Sequence, residues 1–372
     1  MPSRRITTTK DVEFVTRRTI WILTSALVTS AVLAWIFRGE IAVQFMSRTV
    51  ERVTAAVDPL AELEDGLHVG ICGAGSPMPD PKRGGACTVI VAGRRMFVID
   101  AGAGAASTIA TMGLNPGQIE AVFLTHFHSD HLDGLGGLLM QRWVNAGAAQ
   151  PPQVYGPTGV SAMLAGVLAA YEADRGYRST HHGEAVLPAA GFGAEVREFS
   201  LESSSRTVLI AEPELEVVAF AVDHGPVRPA VGYRIRYKDR LVVLSGDTRM
   251  SDAVLRESQG VDLLLHEALS PRLLALIERG FAEHGRDRMA QLMRDIVNYH
   301  TTPEEAAKIA QSAGVGMLVL HHIVPPLPVG ALDPAFLGEA SALYSGPLRI
   351  AKDGDWLSLP VGTRDIREAR RP

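Results

Sequence analysis

The sequence predicts an α/β fold preceded by one long apolar helix, and three observations predict it. Beyond Gly66, short β-branched runs alternate with stretches of helical spacing. Several of these runs end in an aspartate or histidine followed by glycine or a polar loop, which places function at strand ends. Ahead of them, residues 19–37 are nineteen consecutive residues without a charge. The chain of 372 residues is 47% hydrophobic and 21% charged, with a net charge of −5. Those values exclude a disordered or low-complexity chain. Without polybasic runs, bulk charge gives no support to nucleic-acid binding. Two cysteines are too few for a disulfide framework. Cys72 and Cys87 flank a glycine-rich loop, and buried free thiols are the expected state of both.

Taken in order, residues 1–18 are a basic tail holding Arg4, Arg5, Lys10, Arg17 and Arg18. At ~1.5 Å per residue the run 19–37 spans about 28 Å, close to the ~30 Å hydrocarbon core. Trp21 and Trp35 stand near its ends, where indole rings favour the headgroup region. Val32-Leu33-Ala34 followed by bulky Trp35 is a poor signal-cleavage site, so an uncleaved single-pass anchor is expected. Basic residues before the run outnumber Arg38, Arg48 and Arg52 after it, which orients the body outside the cytoplasm. Residues 38–66 form a connecting segment, with Ile41, Phe45, Val50, Val53 and Val57 predicting a helix over 40–63. Residues 67–362 are the body, with strands expected at 67–72, 87–91, 96–99, 121–124, 215–222, 231–237, 241–244, 262–265 and 316–320. Segments 96–102 and 241–247 echo each other, each a buried strand delivering an aspartate, Asp100 or Asp247. Residues 157–173 read as a helix, 171–182 as an irregular insert, and 363–372 as a frayed charged tail.

The richest stretch is Thr125-His126-Phe127-His128-Ser129-Asp130-His131-Leu132-Asp133-Gly134, directly after an apolar run. A strand ending there sets three imidazoles and a carboxylate on one loop, close enough to bind metal together. A lone His-x-His is weak, whereas four ligand-type residues in this order are specific.

This motif resembles the metallo-β-lactamase superfamily, and the resemblance extends over roughly residues 67–360. It implies a four-layer αβ/βα sandwich. Further motifs of that fold stand in order: Asp100, His224 in Val222-Asp223-His224-Gly225, Asp247 in Ser245-Gly246-Asp247-Thr248, and His322 after His321. The resemblance implies His126, His128 and His224 on one metal, Asp130, His131 and His322 on the other, and Asp247 bridging. His321 is an ambiguity, and His322 is chosen because the ligand follows the strand by one residue in similar sequences. Imidazoles and carboxylates suit two Zn²⁺ ions, which can share a hydroxide whose parent water has its pKa lowered towards ~7. Two divalent ions against Asp130, Asp247 and a hydroxide leave a net positive charge, which favours a small anionic ester, a phosphodiester or aryl sulfate. Asp100 is expected to orient a ligand rather than bind metal.

Val231-Gly232-Tyr233-Arg234, His266-Glu267-Ala268 and His300-Thr301-Thr302-Pro303-Glu304-Glu305 look like the ribonuclease Z and arylsulfatase-like branch. That likeness implies His300 beside the leaving group, paired with Glu267, and Asp130 on the nucleophile. Thr302, Pro303 and Glu305 make a capping box, so His300 precedes a helix N-terminus. His266 reads more readily as a satisfied core histidine. The ribonuclease Z branch carries a long transfer-RNA-holding arm where this chain has only Arg236-Tyr237-Lys238-Asp239-Arg240, a hairpin. The missing arm and an outside body make nucleic acid an unexpected partner. RNA 3′ processing and lactonase or thioesterase chemistry remain the alternatives. Tyr177, Arg178 and Trp143 are candidates for substrate binding, two aromatic rings and a guanidinium in an Ala-rich region. Homodimers are common in the branch.

Overall fold

The protein, a computed structural model, is described over residues 9–55, 58–202 and 205–371. It forms two compact units, Met1–Asp58 and Pro59–Pro372. The first unit holds α1 (Thr9–Ile36) and α2 (Arg38–Ala55). Phe37 N donates to Leu33 O at 2.9 Å and Ile41 N to Phe37 O at 3.0 Å, so the helical ladder runs on through the junction. Within α1, Thr19–Ile36 is long and apolar enough to cross a membrane, and Trp21, Leu27 and Trp35 are exposed. The expected helix over 40–63 ends earlier. Val57 lies outside the described residues, and the segment after Pro59 is a turn whose Leu60 is buried with the body's core. Proline disfavours helix in the residue before it, and the second compact unit runs from Pro59.

In the body, β1 (Gly66–Gly73), β2 (Cys87–Ala92), β3 (Arg95–Ile99), β4 (Ile119–Phe123), β5 (Gln153–Pro157) and β6 (Glu195–Phe199) build one sheet. The chain then makes β7 (Arg206–Ala211), β8 (Leu215–Ala221), β9 (Val231–Tyr237), β10 (Arg240–Leu244), β11 (Leu263–Leu269), β12 (Met317–Val324) and β13 (Leu348–Ile350) of a second sheet. It returns to the first with β14 (Asp355–Pro360) and β15 (Arg367–Arg370). The spatial orders are β15-β14-β1-β2-β3-β4-β5-β6 and β13-β12-β11-β10-β9-β8-β7.

Alternation of side chains explains the layers. Leu67, Val69, Phe97 and Phe123 of the first sheet share a buried cluster with Val217, Tyr233, Val242 and Leu263 of the second. The alternate residues, such as Val89, Val98 and Val122, pack with α3 (Ala105–Thr111), α5 (Leu135–Ala146) and α6 (Val160–His182), beyond the short α4 (Ser129–Leu132). On the far side Val243, Leu264 and Leu318 meet α7 (Asp252–Glu257), α8 (Pro271–Glu283) and α10 (Pro303–Ala313); α9 (Asp287–Ile296) pairs with α8. The result is a four-layer αβ/βα sandwich.

Three expectations are corrected. The segment expected to be an irregular insert continues α6 to His182, since it holds no proline and its Gly176 is tolerated in the helix. The tail is not frayed. Arg367–Arg370 pairs with β14, and the fully buried Arg240 donates to the carbonyls of Thr363 and Asp365. Cys72 and Cys87 are joined, not free. The β1–β2 ladder opposes Gly73 to Cys87, and a bulge there brings Cys72 across, with Cα atoms 4.9 Å apart. Closing so short a loop stabilises the fold by about 3 kcal/mol in the chain-entropy model. Cys72→Ser/Cys87→Ser is expected to lose that amount in denaturant unfolding, and reductant is expected to add nothing further to the variant's loss.

Candidate metal centre

Three strand ends and one bulge assemble the site. β4 leads into Thr125 and His126, and the chain turns through His128 into α4, which carries Asp130 and His131. This turn packs on glycines: a Cβ at Gly102 would lie 2.1 Å from Asp130 O, and one at Gly134 2.1 Å from Gly102 O. β8 leads to His224 and β10 to Asp247. On β12 the register with β11 slips between Glu267 and Ala268, which face His321 and Ile323. His322 is the extra residue, held at φ 48°, and this strained backbone turns it into the cluster. His321 stays outside it with both ring nitrogens unpartnered, and burial, then His322, push it down to about 3.

Asp247 Oδ2 lies at the centre. It is 3.9 Å from His126 Nε2, 3.8 Å from His224 Nε2, 3.4 Å from His131 Nε2 and 3.4 Å from His322 Nε2. His128 Nδ1 sits 2.9 Å from His126 Nε2 and 3.4 Å from His224 Nε2, while Asp130 Oδ2 sits 3.0 Å from His322 Nε2 and 3.6 Å from His131 Nε2. Two groups result: His126, His128, His224 and Asp247, and Asp130, His131 and His322. Most of these spacings exceed a hydrogen bond, yet they approach the about 3.3 Å between two ligand atoms of one tetrahedral ion. Inside this buried cluster His131 Nε2 and Asp247 Oδ1 have no hydrogen-bond partner. Divalent metal fits this donor set of imidazoles and carboxylates.

The far sides of the rings are held. Asp100 Oδ2 accepts from His131 Nδ1 and from Thr125 Oγ1, both at 2.8 Å, and Thr125 Oγ1 lies 3.0 Å from His126 Nδ1. His224 Nδ1 donates to Tyr299 O at 2.9 Å. These bonds leave the Nε2 lone pairs facing inward. Burial keeps His126 well below the ordinary imidazole range and lowers His128 and His224, so all three are neutral rings with a lone pair to offer. Burial opposes charge on Asp247, but His322 and His131 hold it well below the carboxylate range. Burial also opposes charge on His131, but Asp247 and Asp100 raise it well above its ordinary value; a cation, where bound, would take that proton's place.

Beside this cluster stands a second pair. Glu267, fully buried, accepts at Oε1 from His300 Nδ1 at 3.0 Å, Thr301 N at 3.0 Å and Thr248 N at 3.2 Å. The capping box of α10 is present, Thr302 Oγ1 accepting from Glu305 N and Glu305 Oε2 from Thr302 N, and it fixes the chain that carries His300. Burial disfavours charge on His300, yet Glu267 lifts it to about 9. A nitrogen of His300 groups with Asp247 and His322 within 4.8 Å. His266 is fully buried, with Nδ1 2.8 Å from Glu267 O and Nε2 unpartnered.

The residues expected to read substrate are not gathered here. Trp143 is fully buried against Phe192 and donates its indole N–H to Pro188 O at 2.8 Å, so it is a core residue and not a ligand contact. Its spacing from Leu135 and Leu139 on α5 carried that signal. Tyr177 is exposed on α6, and Arg178 there pairs with Asp174 at 2.9 Å. Sequence reasoning passed over Tyr299, whose ring lies 5.1 Å from that of His224 and 4.9 Å from that of His300.

Residues 95–323 match the model of the Beta-lactamase superfamily domain. A ribonuclease Z of Mycobacterium sp. (strain KMS) is 36% identical over 266 residues, covering 71% of this chain and 86% of that protein. One of Mycobacterium bovis is 33% identical over 293 residues, 77% of this chain and 96% of that one. The chain belongs to the metallo-β-lactamase superfamily, as a homologue of ribonuclease Z. Among solved structures, the short form of human tRNase Z superposes with a TM-score of 0.56 at 23% identity, covering 79% of this chain and all of that one. The Bacillus subtilis metallo-β-lactamase fold protein YhfI gives 0.56 at 20%, covering 82% and 100%. Both show the same fold. In this superfamily member β9 and β10 are joined by Lys238 and Asp239 alone, Tyr237 pairing with Arg240.

Proposed function

We propose that this metal-dependent hydrolase of the superfamily holds two zinc ions and cleaves small anionic esters, phosphodiesters foremost. The observation that carries the reading is Asp247 Oδ2 set among four histidine nitrogens, with the Glu267–His300 pair on the same rim. His126, His128 and His224 would hold one ion, Asp130, His131 and His322 the other, and Asp247 both. When bound, such ions supply a water of lowered pKa and positive charge for the phosphoryl oxygens. Asp130 orients the attacking water and accepts its proton. His300, charged through Glu267, gives a proton to the departing oxygen. Metal analysis with turnover of bis(p-nitrophenyl) phosphate tests the reading. Chelator-sensitive hydrolysis of the diester above that of p-nitrophenyl sulfate and a lactone supports it, and zinc-loaded protein active only on the sulfate or the lactone contradicts it.

RNA 3′ processing is the second reading, favoured by the ribonuclease Z relatives. The two-residue β9–β10 link speaks against it, because the resembling branch places its transfer-RNA arm there. Cleavage of a precursor transfer RNA faster than of the diester would select it.

The same proposal puts α1 across a membrane with the body on the oxidising side. The apolar run, the basic tail before it and the Cys72–Cys87 bridge support this. A topology reporter fused after Pro372 checks it. Periplasmic-type activity is expected, and a cytoplasmic result would overturn it and restore nucleic acid as a substrate.

A further inference from the structure

Tyr299 is not among the side chains the sequence nominated for substrate binding. Tyr299 is half-buried, and its carbonyl is tied to His224 Nδ1 at 2.9 Å, which pins its backbone to the metal cluster. Its ring stands 5.1 Å from the ring of His224 and 4.9 Å from that of His300. The approach depends on Gly225, whose φ is +60°; a Cβ there would meet Tyr299 Cβ at 2.9 Å and the Arg249 guanidinium at 3.3 Å. One aromatic ring therefore stands beside both His224, edge-on at 81° between planes, and His300, tilted at 43°.

We propose that Tyr299 makes the enzyme selective for aryl esters, stacking on a planar group bonded directly to the leaving oxygen. The inference rests on the anionic-ester reading of the site and adds its substrate class. A leaving oxygen within reach of His300 puts an attached ring over Tyr299, where offset stacking is favourable. A nucleobase, one ribose further away, passes beyond it. An alkyl group finds the same surface but no ring partner.

Calorimetric titration of the zinc-loaded protein with phenylphosphonate and methylphosphonate reads this without turnover. The wild type is expected to bind phenylphosphonate roughly 3- to 10-fold more tightly, the scale of one aromatic pair. Tyr299→Leu is expected to abolish the preference, Tyr299→Phe to keep it and Tyr299→Trp to raise it, so the last two decide should the leucine variant not fold. No preference in the wild type, or one retained by Tyr299→Leu, would overturn the proposal. So would a Tyr299-dependent preference for uridine 5′-monophosphate over ribose 5-phosphate without one for phenylphosphonate. Phenyl preference without diester hydrolysis would defeat the hydrolase reading alone; diester hydrolysis without phenyl preference would defeat the Tyr299 assignment alone.

Discussion

Replacing His300 by alanine is expected to lower kcat by roughly 10²- to 10⁴-fold, the usual scale of general acid catalysis, with bound metal unchanged. The expectation follows from where the ring is tied. Nδ1 faces Glu267 Oε1 at 3.0 Å, which leaves Nε2 as the proton donor on the cluster side. Glu267 is itself anchored by the backbone N–H groups of Thr248 and Thr301, so the imidazolium is held by a carboxylate that does not move. The pH profile gives the sign. Burial opposes the charged ring, yet Glu267 raises it to about 9, so the acid form persists through neutral pH and is lost as pH rises through that value. Positive charge in the adjoining metal site acts the other way, and the alkaline limb of kcat falls at or below pH 9. Glu267→Gln removes the raising charge and is expected to move the limb to lower pH; His300→Ala is expected to remove it. Equal loss of metal and activity in His300→Ala would instead place this histidine in the scaffold.

The second large effect is expected from Asp247→Ala. Its Oδ2 is the one oxygen set among His126, His131, His224 and His322, and His322 and His131 hold the carboxylate ionised against burial. Deleting it takes a ligand from both candidate ion sites and leaves six groups to hold them. Losing a mere supporting partner of a ligand costs about 10- to 100-fold in metal affinity. Losing a shared ligand is expected to exceed that, measured by competition with a chromophoric chelator. Asp100→Asn, which weakens the bonds to His131 Nδ1 and to Thr125 behind the cluster, is expected to stay within the smaller range.

How much of this was legible in the sequence depended on how local each feature is. His126 to His131 sit on one loop after one strand, so type and spacing alone mark them. His224 and Asp247 are brought in from the ends of two other strands and His322 from the bulge of a third, and composition gives no means of pairing them; only the resemblance did. The choice of His322 over His321 is decided by a bulge and a left-handed backbone, which no side-chain pattern announces. The edge strands β6 and β15 are charged and exposed, without the apolar alternation that marks a half-buried strand. Cys72 meets Cys87 through register, which the sequence does not display. Trp143 is readable as core from its helical spacing on α5, and its burial replaces the expected role in substrate binding. Tyr299 lies in a short turn with no pattern of its own, and only its place between His224 and His300 gives it meaning.

Metal content of the purified chain after zinc loading and dialysis is the most direct measurement of the central claim, with circular dichroism as the check on folding. Two equivalents per chain are expected, falling below two in Asp247→Ala. A folded protein that retains no zinc, or an Asp247→Ala variant that keeps both equivalents, would contradict the assignment of these seven side chains to a paired metal centre.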